Sequence, residues 1–283
     1  MTRLLQWPSK LIGMAMATIF TDRPQGYFIP YRYAADCKPY PEQGYPELAR
    51  WMDQYSSELC QQMDQIAVYL PQLIRFQNLT PPLPRWQQDW FPGLDGASAY
   101  SLVRDLKPSR IIEVGSGHST RFMAKAVADE KLNTRIICID PQPRADITAL
   151  KVELHNQIVQ QLDLVVFSQL QAGDLLFIDS SHILMPGTDV DWLFNRIVPF
   201  LPKGVIVHIH DMLLPDAYPE EWQWRGYNEQ ALVAGLLASE CYDLLWSSHY
   251  ARSRLADQLQ LRGLNQIPLE AGALETSLWL IKR

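Results

Sequence analysis

Between residues 110 and 210 the chain alternates short apolar runs with stretches of helical period. Arg110-Ile-Ile-Glu-Val114, Arg135 to Asp140, Asp174-Leu-Leu-Phe-Ile-Asp179 and Gly204-Val-Ile-Val-His-Ile-His210 are rich in β-branched residues and bounded by Gly, Pro or Asp. Such runs suit parallel strands buried on both faces. Helical spacing over Ser119–Ala128, 188–200 and 227–240 supplies the crossovers. A strand–helix–strand rhythm of this kind predicts an α/β fold, a doubly wound sheet covered by helices. A short strand near Val152–Leu154 and a helix from about Gln160 to Leu170 complete one crossover, and strands at Tyr242–Ser247 and Thr276–Ile281 end the chain.

Upstream the pattern differs. From Pro46 to about Phe76, Leu48, Trp51, Met52, Tyr55, Leu59, Met63, Ile66, Leu70 and Leu73 recur at helical spacing. They predict one long helix that Pro71 kinks or ends. Thr80-Pro-Pro-Leu-Pro84 reads as a linker. The chain is thus expected to divide near residue 90, into an N-terminal extension over 1–89 and a main domain over 90–283. Residues 1–45 hold no sustained period, but Tyr27-Phe-Ile-Pro-Tyr-Arg-Tyr33 is aromatic enough to be bound down on the domain.

Composition narrows the classes. A net charge of −6 with no dense Lys/Arg run argues against nucleic acid as a partner. Cys37, Cys60, Cys138 and Cys241 form no CxxC pair, so a reducing compartment is expected and Cys138 reads as a buried thiol. The apolar run Leu11–Phe20, preceded by Arg3 and Lys10, is too short to span a bilayer. Ala15-Met-Ala17 has the small-residue pattern of a signal-peptide cleavage site. Packing on the domain is the preferred reading, with a cytoplasmic location and no membrane partner.

Glu113-Val-Gly-Ser-Gly-His-Ser-Thr120 falls at a strand-to-helix junction. Gly115 and Gly117 allow a tight turn and close approach of a ligand, and Ser119 or Thr120 can cap the helix. Asp140 ends the next strand, where an acidic side chain accepts hydrogen bonds from a ribose diol. Dinucleotides and S-adenosylmethionine both fit such a set. The dinucleotide fingerprint wants a third small residue where this chain has Thr120. Glu113 suits the cationic methionine end of S-adenosylmethionine. Glu113, Gly115, Gly117, Ser119 and Asp140 are therefore the expected cofactor residues.

These motifs, with Ile139-Asp140-Pro141, resemble the first two motifs of class I S-adenosylmethionine-dependent methyltransferases. Leu176-Phe-Ile-Asp-Ser-Ser-His182 and His208-Ile-His-Asp-Met-Leu-Leu-Pro215 are similar to the methyltransferase-24 family. The resemblance runs from about residue 90 to 245. It implies a Rossmann-like sheet of seven strands, the last antiparallel.

Asp179 and His210-Asp211 end neighbouring strands on the ligand-bearing rim, with His182 three residues after Asp179. Two chemistries are open. Asp179 and Asp211, with His210 beside them, can hold Mg²⁺ and lower the pKa of an acceptor hydroxyl. Alternatively His182 takes the hydroxyl proton without a metal. Metal-dependent small-molecule O-methyltransferases resemble this arrangement, from which His210 is a departure. His208 shares a strand face with His210 and reads as a core histidine. His155 and His249 read as surface or packing residues.

Residues 212–227 form a long connection whose Tyr218, Trp222, Trp224 and Tyr227 either wall a substrate pocket or pin the loop down. Asn228 and Glu229 start the next helix and suit its cap. The expected function is methyl transfer from S-adenosylmethionine to a hydroxyl of a small molecule. The alternatives are a nicotinamide-dependent oxidoreductase and a non-catalytic nucleotide- or S-adenosylmethionine-binding protein. The N-terminal helix is expected to cover the cofactor cleft or to form a homodimer contact.

Overall fold

The computed structural model describes residues 9–37 and 44–283, so Arg3 lies outside the described residues, as does the side chain of Lys10. Seven strands form one sheet in the order β3-β2-β1-β4-β5-β7-β6. They are β1 (Arg110–Val114), β2 (Arg135–Ile139), β3 (Glu153–His155), β4 (Leu175–Ile178), β5 (Ile206–Ile209), β6 (Tyr242–Ser247) and β7 (Leu278–Lys282). β1 to β5 pair in parallel, whereas β7 runs antiparallel to both β5 and β6. The expected doubly wound sheet with an antiparallel last strand is what the chain forms.

The order has one mechanical consequence. The chain winds outward from β1 to β3, then returns to lay β4 against the other side of β1. A crevice opens at such a reversal, beyond the carboxyl ends of the strands. β1, β4 and β5 deliver the glycine loop, Asp179 and His210-Asp211 to it.

The helices are α1 (Ser9–Phe20), α2 (Pro46–Asp53), α3 (Ser56–Val68), α4 (Leu70–Arg75), α5 (Gly93–Leu106), α6 (His118–Asp129), α7 (Asp189–Arg196), α8 (Glu229–Ala238), α9 (Ser248–Arg254) and α10 (Ala256–Leu261). The single long helix expected over 46–76 is instead α2, α3 and α4. Ser56 Oγ donates to the Asp53 carbonyl at 2.8 Å, occupying a group that a continuous helix would use. Pro71 stands in the first turn of α4, where its missing N–H costs nothing. The helical spacing of the apolar residues survives the breaks. Met52, Leu59, Met63, Ile66 and Leu73 are fully buried in a core shared with the sheet. That core crosses residue 90 without interruption.

Three other expectations are corrected. Residues 159–169 form two 3₁₀ segments, Val159–Gln161 and Leu164–Gln169, rather than a helix. Asp163 accepts the Val165 N–H at 2.9 Å and caps the second. The β-branched Val165 and Val166 disfavour extending it as an α-helix. The segment 27–33 is not bound down: Phe28 is 72% exposed and Ile29 62%. The helix over 188–200 ends at Arg196, with Pro199 inside a following 3₁₀ turn.

α5 had no signal strong enough to read. Its first eleven residues, Gly93–Val103, are all buried, so no polar face marks its period. A Cβ on Gly96 would lie 2.6 Å from the Phe122 ring, so a glycine is what lets α5 close on α6. Among the described residues no helix is long and apolar enough to cross a membrane.

Candidate active site

The turn after β1 is as tight as the sequence implies. Gly115 has φ +81°, and a Cβ there would sit 1.8 Å from the Asp179 carbonyl oxygen. Only glycine lets β1 and β4 exit side by side. Gly117 precedes α6, and its N–H donates to Thr120 Oγ1 at 2.9 Å. Thr120 in turn donates to Glu113 Oε2 at 2.5 Å, and Ser119 Oγ donates to Glu113 Oε1 at 2.6 Å. Cys138 Sγ adds a weak bond to Oε2 at 3.3 Å. The position that departs from the dinucleotide fingerprint is thus a hydroxyl bridge from the loop to a buried carboxyl group.

This corrects the role expected of Glu113. Its side chain is fully buried and spent on the start of α6, so it shapes the loop and does not line the cleft. Burial raises its pKa from 4.5 to about 7, against the three side-chain hydrogen bonds that lower it. Asp140 is also drawn into the loop. It accepts from Ser116 N at 2.6 Å and from Gln142 N at 2.7 Å, remaining partly exposed. Ser116, Gly117, His118 and Ser119 do line the cleft, together with Trp90 and Arg144. Arg144 stacks over the Trp90 ring at 4.1 Å. His118, beside Arg121 and Arg85, is held to about 4 by burial and these two cations, and is neutral.

The other wall gathers Asp179, His182, His210 and Asp211. Asp179 Oδ1 lies 3.4 Å from His182 Nε2 and 3.4 Å from His210 Nδ1. Asp211 lies 3.4 Å from His182 Nε2 and 3.7 Å from His210 Nδ1. Each imidazole has a further carboxylate behind it. Glu229, at the first turn of α8, meets His182 Nδ1 at 2.9 Å. Asp95, from α5, meets His210 Nε2 at 3.3 Å while accepting the Thr276 and Ser277 N–H groups. Both are fully buried.

Electrostatics follow from this cage. Burial pulls the His182 pKa down, but Asp211, Asp179 and Glu229 together hold it well above 6.5. His210 is raised in the same way, burial again being outweighed, here by Asp179, Asp95 and Asp211. Burial opposes ionisation of Asp179, yet the two imidazoles depress its pKa strongly. Arg225 adds a cation 3.8 Å from Asp211 and stacks at 4.0 Å on Trp222. His182 and Asp211 both sit in the left-handed backbone region, at φ +61° and +54°. Non-glycine residues there store strain of about 1–3 kcal/mol each and cluster at functional sites.

His208 is fully buried, stacked on Phe177 at 3.6 Å and bonded to Ser277 Oγ at 2.9 Å. Its place is in the sheet, away from the cleft. His155 pairs with Glu153 and His249 with Asp216. Trp222 and Tyr227 line the cleft, Trp224 is half exposed and Tyr218 is buried. Asn228 bonds the Leu184 backbone and does not cap α8.

The donor set decides the fit of each expected ligand. Among the described residues no group of three or more His, Cys, Asp or Glu is arranged to hold a metal ion. The reason lies in what Asp179, His210 and Asp211 face. The Asp179 and Asp211 oxygens lie against the His182 and His210 ring nitrogens and, for Asp211, the Arg225 guanidinium. A divalent ion would have to displace them, and Mg²⁺ does not fit this arrangement. S-adenosylmethionine fits better. The cleft runs from the α6 N-terminus past Ser180, whose buried hydroxyl has no partner among the described residues.

The model of the methyltransferase-24 family, described as a methyltransferase domain, matches residues 112–212. That stretch contains the glycine loop, Asp140, Asp179, His182 and His210-Asp211. That stretch is similar to a methyltransferase domain. No curated protein matches the chain. Among solved structures, this chain resembles an SAH-bound methyltransferase of Podospora anserina, PaMTH1, at 16% identity over 91% of this chain and 99% of that one, with a TM-score of 0.41. It also resembles the plantazolicin methyltransferase BpumL in complex with SAH, at 15% identity over 83% and 99% of the two chains and TM-score 0.41. A third is the Mg-SAM form of CmcI, at 15% identity over 65% and 68% and TM-score 0.36.

Sequence reasoning missed Asp95, Glu229, Arg225 and Thr276. Asp95 lies in the unread helix α5. Glu229 was read as a cap, and nothing local signals that it turns inward to His182.

Proposed function

We propose that this domain transfers the S-adenosylmethionine methyl group to a hydroxyl of a small-molecule acceptor, with His182 as the base. One observation carries the reading. His182 has Nδ1 fixed by the buried Glu229 and presents Nε2 at the cleft between Asp179 and Asp211. When bound, S-adenosylmethionine supplies a sulfonium-borne methyl group open to attack by an oxygen nucleophile. This chain's share is to hold the acceptor hydroxyl at His182 Nε2 and remove its proton. The acceptor oxygen then takes the methyl group, and S-adenosylhomocysteine leaves.

The three carboxylates around His182 stabilise the imidazolium that proton removal creates, as a buried Asp does for a catalytic His. They also make His182 a stronger base than free imidazole. The same effect keeps it protonated at rest, so turnover is expected to rise with pH through the elevated pKa. Arg225, Trp222 and Tyr227 close the cleft around the acceptor.

The test combines a variant with a chelator. S-adenosylhomocysteine formation should fall roughly 10²–10⁴-fold in His182→Ala, the usual scale for losing a general base. S-adenosylhomocysteine affinity should be retained in that variant. EDTA should leave the wild-type rate unchanged. Inactivation by EDTA with recovery in Mg²⁺ would put the metal back into the mechanism, and wild-type turnover by His182→Ala would remove His182 from it.

A further inference from the structure

A second space adjoins the cleft. Between α1 and the loops bearing the site residues lies a groove enclosing about 680 Å³, of the size that holds drug-sized ligands. Leu11, Met14, Ala15 and Ile19 of α1 form one wall, and Ile183, Met185 and Trp224 another. Successive residues of the loops serve the two spaces alternately. Ser180, His182 and Trp222 face the cleft, while Ser181, Ile183 and Trp224 face the groove. Arg225 lines both, so the two spaces meet there.

The chemistry of the lining is uneven. Four of its polar side chains are already bonded within the chain. Ser181 pairs with Asp189, Asn228 with the Leu184 backbone, Thr188 with Met185, and Thr18 with the Met14 carbonyl and Gln25 N–H. Arg225, by contrast, has its Nε buried and without a partner among the described residues. The apolar walls stay wet instead. Ile19 is 57% exposed and Trp224 52%. A concentration of exposed apolar side chains with a single cation at one end marks a binding surface.

We propose that this groove seats the apolar body of the methyl acceptor, an alkyl or aromatic compound whose hydroxyl end passes Arg225 to reach His182. The proposal rests on the methyl-transfer reading for the identity of the reacting end. The groove and its occupant's apolar character rest on the lining alone. Its position explains why α1, whose side chains contribute nothing to the buried core, lies against the site loops. A compound filling the groove would bury the exposed faces of Ile19 and Trp224 and direct its polar end past Arg225.

The test compares phenol with 4-butylphenol by calorimetry on the full chain, with no cofactor present. The butyl compound should bind wild type at least about tenfold more tightly, as burial of added methylenes predicts. That gain should disappear in Ala15→Trp and in Met185→Trp, which fill the groove from opposite walls, and persist in Met16→Ala on the outward face of α1. S-adenosylhomocysteine affinity and melting temperature, followed in the same variants, report on the fold and on the cofactor site separately. Equal binding of the two phenols by wild type, or a gain that survives both filling variants, overturns the proposal. So does a dimer in sedimentation that 4-butylphenol does not dissociate, since a second copy would then occupy the groove. Failure of wild type to bind S-adenosylhomocysteine would instead refute the methyl-transfer reading.

Discussion

Replacing Glu229 with Gln tests the site's electrostatics with little change in shape. The amide carbonyl can still accept from His182 Nδ1, so the tautomer and ring orientation persist, while one of three carboxylates around the ring is lost. Glu229 is fully buried and 2.9 Å from the ring. A hydrogen bond to a charged group at such a distance contributes about 1.5–3 kcal/mol, against ~1 for the neutral amide that replaces it. The difference lowers the His182 pKa. The sign follows from the cage: each carboxylate favours the imidazolium, so removing one lets the proton leave at lower pH. Titration of the His182 Cε1–H proton by NMR measures this without any acceptor. Where turnover is measurable, the rising limb of the pH–rate profile should move down by the same amount. A His182 titration identical in wild type and Glu229→Gln would show that Glu229 does not tune the ring, and a rate that does not depend on pH through this range would refute the base.

Gly115→Ala should be severely destabilising, by more than ~3 kcal/mol, because the new Cβ meets the Asp179 carbonyl at 1.8 Å in a left-handed backbone; a wild-type melting temperature would contradict the tight β1–β4 exit. Glu113 should make stability pH-dependent. A carboxyl raised from 4.5 to about 7 favours the folded state fully below pH 4.5, and the advantage of ~3 kcal/mol is lost as pH rises to 7. Chemical denaturation across that range should show Glu113→Gln with a flatter profile than wild type, and parallel profiles would mean Glu113 stays ionised. Asp140→Ala removes the acceptor for Ser116 N and should weaken S-adenosylhomocysteine binding by about 1.5–3 kcal/mol in calorimetry; unchanged affinity would free the loop of any need for Asp140.

The sequence by itself determined the sheet and its working edge. The runs at 110–114, 135–139, 175–178 and 206–209 are apolar because both faces of a parallel strand are covered, and that needs no knowledge of partners. Gly115, Asp179 and His210-Asp211 were legible for the same reason, since a strand end fixes which rim a residue reaches. Local chemistry also announced the cap of α6, though not its direction. Ser119 and Thr120 were readable as hydroxyls at a helix start. That they turn inward to Glu113, leaving it none of the cleft, depends on β1 and α6 packing face to face.

What only the tertiary structure decided lies at long range. Asp95 and Glu229 stand 115 and 47 residues from the histidines they hold, and each looks locally like a helix N-terminal acid. Folding buries them, and burial changes their chemistry from surface charge to the counter-charge of an imidazole. The same holds for the metal expectation. Two aspartates and a histidine at neighbouring strand ends are a reasonable oxygen-rich set in sequence. Whether their oxygens meet a cation or protonated nitrogens depends on side-chain directions. The fold turns them towards His182, His210 and Arg225, because α5 and α8 place carboxylates behind both rings and keep them charged.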